Sequence, residues 1–90
     1  MDLWRIAEEE TRQAGLGIGP DCANLLRHTF DRARAHAQPI SSGVEWDTER
    51  NTRILVQTMI DIARERGYAE LHEDTFADAL RRVCPLFPFC

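Results

Sequence analysis

The stretch from Thr48 to Arg66 restricts the fold more than any other part of the chain. Placed on a helical projection, Ile54, Leu55, Val56, Met59, Ile60, Ile62 and Ala63 cover about two thirds of the circumference. Arg50, Gln57, Asp61 and Arg64 are left as a narrow polar stripe. A helix that apolar has to be surrounded by other elements, so it is expected to be the central helix of whatever forms around it. Gly67 follows at the position where a helix turns off into the left-handed conformation.

The flanking sequence supplies the neighbours. A first helix over 2–14 opens on Asp2 as N-cap and stops at Gly15, with Leu3, Ile6, Ala7 and Ala14 on one face and Glu10 in the middle of it. Leu16-Gly17-Ile18-Gly19 reads as a connector. Pro20 and Asp21 open a second helix over 20–37, whose buried face carries Cys22, Leu25, Leu26, Thr29, Phe30, Ala33 and Ala37. Pro39 ends it, and Ser41-Ser42-Gly43 reads as a loop. A fourth helix over 73–84 has Glu73 and Asp74 at its positive end and Arg81 and Arg82 at its negative end, with Phe76, Ala79, Leu80 and Val83 facing the core. Pro85 stops it and leaves an apolar, Pro-containing tail over 85–90. No segment alternates with period two, and no internal repeat is visible. The expectation is a single all-α domain over 1–90, a compact bundle of about four helices with helix three central.

Charge and composition narrow the function. A net charge of −4 does not suit a nucleic-acid binder, which relies on a basic patch to displace counterions. All eleven basic residues are Arg. No apolar run approaches the roughly 20 residues of a membrane span, and the first residues lack the layout of a signal peptide, so a cytoplasmic protein with no membrane association is expected. Three cysteines do not make a secreted disulfide scaffold.

Few residues suggest chemistry. Leu86, Phe87 and Phe89 in the tail form a sticky segment that either folds back over the core or docks to a partner. Cys84 and Cys90 flank it at a spacing that is no recognised zinc or iron–sulfur pattern; they read as unassigned thiols or as a reversible redox pair. Cys22 projects onto an apolar face, where a thiol behaves as a small hydrophobe. His28, Arg32 and His36 form a solvated stripe, and histidines eight apart do not chelate one metal, so no metal site is expected. Glu10 calls for an Arg partner or, in an interhelical ligand pocket with His36 and Trp46, a raised pKa. No phosphate loop, nucleophile–base arrangement or dinucleotide motif is present.

Trp46-Asp47-Thr48-Glu49, followed by Ile62-Ala63-Arg64-Glu65-Arg66-Gly67-Tyr68-Ala69-Glu70-Leu71-His72-Glu73-Asp74 and Ala79, resembles the small helical domain that ends the B subunit of light-independent protochlorophyllide reductase. The likeness spans about residues 46–80, and Ile54-Leu55-Val56 stands where that family has a Pro-Phe-rich block. It implies a helical domain packed near a tetrapyrrole site of a nitrogenase-like metalloenzyme, supplying no cluster ligands of its own. A helix closed by Gly, a short turn and an acidic first turn also belong to any helix-loop-helix, the histone-like fold included.

The reading that follows is a non-catalytic helical interaction module, a small accessory subunit docking to a larger bacterial enzyme. A redox or cofactor-associated protein using Cys84 and Cys90 is one alternative, and a small ligand-binding or enzymatic bundle is another. The cofactor is left open.

Overall fold

The computed structural model describes residues 3–36 and 48–83, with side chains over 3–32 and 49–83. Four helices, α1 (Leu3–Gln13), α2 (Pro20–His36), α3 (Thr48–Arg66) and α4 (Glu73–Val83), make an all-α fold. The expected Asp2 cap, the Pro39 stop, the Ser41-Ser42-Gly43 loop and the 85–90 tail lie outside the described residues.

The chain builds one unit twice: a helix, a glycine cap, a two-residue strand and a second helix. At the end of α1, Gly15 adopts φ +76°, its N–H donates to the Arg12 carbonyl (3.0 Å), and the Leu16 N–H donates to the Thr11 carbonyl (3.1 Å). At the end of α3, Gly67 adopts φ +74°, with Gly67 to Arg64 at 3.1 Å and Tyr68 to Ala63 at 2.8 Å. Both are Schellman caps, in which the left-handed residue turns two N–H groups back onto the last carbonyls of its helix. The residue after each glycine, Leu16 or Tyr68, packs half-buried against the core.

Two strands follow these caps, and the sequence did not announce them. β1 (Gly17–Ile18) and β2 (Glu70–Leu71) pair in parallel, Gly17 opposite Glu70 and Ile18 opposite Leu71. The Gly17 N–H donates to the Ala69 carbonyl (3.2 Å) and the Gly19 N–H to the Leu71 carbonyl (2.9 Å). A parallel pair needs a long crossover, and here the chain from α2 through α3 supplies it. Gly19 has a packing reason to be glycine: a Cβ there would lie 3.0 Å from the Leu71 carbonyl oxygen. The next residues start helices, with the Ala23 N–H reaching the Gly19 carbonyl (2.8 Å) and the Phe76 N–H the His72 carbonyl (3.1 Å).

α1 and α3 both end at the strand pair, and α2 and α4 both start there. α3 packs along α1 on one side and α4 on the other, while α2 joins the core through α4 and α1. Leu55, Val56, Met59, Ile60, Ile62 and Ala63 of α3 are at most 1% exposed, so helix three is central as its periodicity requires. Ile54, at the margin of that apolar arc, is half-buried. Leu3, Ile6 and Ala7 of α1, Leu26 and Phe30 of α2, and Phe76, Ala79 and Val83 of α4 complete the same core cluster, with Leu71 of β2 fully buried in it. Trp4 of α1 lies under the guanidinium of Arg27 of α2, 4.5 Å from the ring centroid, which ties those helices together at the surface.

Candidate functional site

Of the residues singled out by the sequence, Glu10, Cys22, His28 and Arg32 have described side chains, and His28 and Arg32 lie exposed on α2. Glu10 accepts from Arg53 (3.0 Å) and from Gln57, so it faces α3 across the surface of the α1–α3 seam and is consumed by a structural contact. Arg53 in turn reaches Glu49 one turn back along α3, at 2.7 Å. Arg64 closes the same seam at its other end by donating to the Ala14 carbonyl at 3.3 Å. His36 is the last residue of α2, and its side chain lies outside the described residues, as do Trp46, Cys84, Leu86, Phe87, Phe89 and Cys90.

Cys22 sits in the first turn of α2 with no exposed surface. Burial, and then the nearby carboxylates of Asp74 and Glu73, push its thiol up to about 12. A thiol held protonated at neutral pH is a poor nucleophile, so this residue serves as core.

Above Cys22, the starts of α2 and α4 border an open cleft of about 640 Å3 lined by Gly19, Pro20, Asp21, Cys22, Glu70, His72, Glu73, Asp74 and Ala77. Its carboxylates are partly committed to the fold. Asp74 accepts from the Tyr68 hydroxyl and from Arg66, both at 2.9 Å. Those contacts, led by the Tyr68 hydroxyl, hold its carboxyl below the usual range. Arg66 also binds Asp78, which is lowered chiefly by that contact. Tyr68 meets the His72 ring edge-on at 4.5 Å. Among the described residues no three His, Cys, Asp or Glu side chains converge as a metal ion would require. Nor is any described helix long and apolar enough to cross a membrane.

A second concavity has a different character. It runs between α1 and β1, about 290 Å3, and is lined by Trp4, Glu8, Thr11, Arg12, Leu16, Gly17 and Ile18. Leu16 immediately precedes β1 and Ile18 ends it, and both line this concavity. Both are half-buried, so part of each apolar side chain is open to a partner. Because the Gly17 and Gly19 N–H groups are turned to β2, the N–H and C=O of Ile18 between them point to the opposite edge, which no described strand covers. The groove thus joins apolar side chains to a strand edge open among the described residues, the two elements that an extended peptide uses to add itself to a sheet.

The sequence reading passed over this surface. Its signal was the alternation Leu16-Gly17-Ile18-Gly19, too short to register as a strand.

No protein-family model, curated protein or solved structure matches the chain.

Proposed function

We propose that the chain is a non-catalytic helical interaction module, a small cytoplasmic accessory subunit that docks to a larger bacterial enzyme through the groove between α1 and β1. The observation that carries this reading is the half-exposed pair Leu16 and Ile18 set on the edge of β1 that no described strand covers. Elsewhere the charged side chains with close contacts are used within the fold, as in the Glu10–Arg53 and Arg66–Asp74 pairs. The resemblance of residues 46–80 to a small helical domain that packs near a tetrapyrrole site of a larger enzyme without supplying cluster ligands fits the same role.

Ile18→Lys tests it, since a lysine on a strand edge blocks pairing while its stem still covers apolar surface. Tagged wild-type chain, expressed in its own cells, is expected to retain one protein at near-equal amount, and the variant to lose it while keeping its helicity. A partner held equally by both chains would contradict the assignment of the groove.

A further inference from the structure

We infer that the chain pairs with a second copy of itself across the outer edge of β1, in a two-fold dimer with Ile18 against Ile18 and the two α1 helices antiparallel over the seam. This rests on reading the groove between α1 and β1 as a docking surface and commits it, in the free chain, to one occupant.

The hydrogen-bonding groups set the pairing. Gly17 and Gly19 turn their N–H groups to β2, so the outer edge of β1 offers one N–H and one C=O, both from Ile18. An antiparallel neighbour must therefore present one residue that exchanges both bonds with Ile18. The same residue of a second copy does so, since a two-fold axis through the pair lets each Ile18 N–H donate to the C=O of the other. The pairs on either side then set Gly17 of one copy opposite Gly19 of the other. These are non-hydrogen-bonded pairs, in which Cα atoms approach to about 4.5 Å, and two glycines leave no side chain in the way. Ile18, half-buried in one chain, is covered by its counterpart.

Charge selects this edge over the other. β2 has the equivalent outward groups on Glu70, because the Ala69 and Leu71 carbonyls are turned to β1. A two-fold pairing there would set Glu70 opposite Glu70, like charges that oppose it. The rim of the β1 groove is instead self-complementary. It carries Glu8 and Arg12 one turn apart on α1, both exposed and neither in an ion pair among the described residues. A two-fold axis normal to the strand pair keeps both α1 helices on the same face and reverses one against the other. Glu8 of each copy is thereby set towards Arg12 of the other. The contact is isologous and closes at two copies. Because it takes the same edge, the dimer and a bound partner exclude each other.

Sedimentation of the purified full-length chain from about 10 μM to about 1 mM tests this. The expected result is a rise from the mass of one chain to that of two, abolished by Ile18→Lys with helicity kept. Glu8→Arg and Arg12→Glu, both at exposed positions, each turn two attractions into repulsions and are expected to weaken the dimer about tenfold. Mixing these two variants restores it, because every rim contact of the mixed dimer is then Arg against Glu. A wild-type chain that stays monomeric throughout overturns the inference. So does a dimer that survives Ile18→Lys, and so do charge variants that dimerise as wild type alone or fail to complement. Partner capture by the tagged chain reads the docking role separately. A monomeric chain that still loses its partner in Ile18→Lys contradicts the dimer alone, and a dimer whose chain retains no partner contradicts the docking role alone.

Discussion

Two buried threonines carry a cost that the core does not recover. Thr52 and Thr75 are wholly buried, and neither hydroxyl has a hydrogen-bond partner among the described residues. Thr11, Thr29 and Thr58 differ, each donating to the carbonyl four residues back at 2.6–2.8 Å. A buried hydroxyl without a partner costs about 1–3 kcal/mol. Thr75→Val keeps the shape and removes the oxygen, so it is expected to raise the urea midpoint by an amount worth about 1 kcal/mol; a lowered midpoint would show that the hydroxyl is satisfied. At this scale the sequence was partly readable. Cys22 on an apolar stripe reads as core, and Glu10 on the packing face of α1 called for an Arg partner, with a ligand pocket as the alternative. Which of the eleven arginines it finds was not readable, because Arg53 lies 43 residues away and only the packing of α1 on α3 brings the two together.

At the scale of elements, helices were legible because their start and stop signals are local. Pro20 opens α2, Glu73 and Asp74 open α4, and Gly15 and Gly67 close α1 and α3. The strand pair was not legible, since two residues make no period and the pairing joins positions 53 apart, Gly17 with Glu70. Gly19→Ala tests how much that pair matters. Its Cβ would press on the Leu71 carbonyl at 3.0 Å and on a Glu70 carboxylate oxygen at 3.3 Å; the carboxylate can swing aside, but the backbone carbonyl of the strand pair must give by a few tenths of an ångström. Loss of about 1–3 kcal/mol is expected in chemical unfolding, against a few tenths for an exposed glycine of ordinary conformation.

The contacts joining the end of α3 to α4 give a pH dependence with a definite sign. Asp74 and Asp78 have folded pKa values below the unfolded value of 3.8, so the unfolded chain takes up protons first as pH falls. Their stabilisation is complete above about pH 4 and is lost as pH drops through the folded values. Arg66→Gln removes the first cause for Asp78 and a contributing one for Asp74, so its melting temperature should fall less steeply than wild type below about pH 4. Parallel curves would show that Arg66 does not couple to these carboxylates.

For the whole molecule, the apolar arc of α3 settled the architecture before any contact was known. Met59 lies on that arc with no exposed surface, and Met59→Asp would leave a carboxylate unpaired in the centre of the only core described. The cost, several kcal/mol, approaches the full stability of a small domain, and loss of the cooperative melt is expected. Surface function was harder to read because it arises from arrangement. Leu16 and Ile18 look like connector residues until β1 is seen to have an edge that no described strand covers, whereas Leu86, Phe87 and Phe89 drew notice by composition alone. The central claim is that partners are met at this edge and not at the acidic cleft between α2 and α4. Amide hydrogen exchange, measured on the free chain at low concentration and on the chain bound to its captured partner, tests that most directly. The account expects slowed exchange at Leu16, Gly17 and Ile18 with little change over residues 19–22 and 70–77; protection confined to the cleft, with Ile18 unchanged, would contradict it.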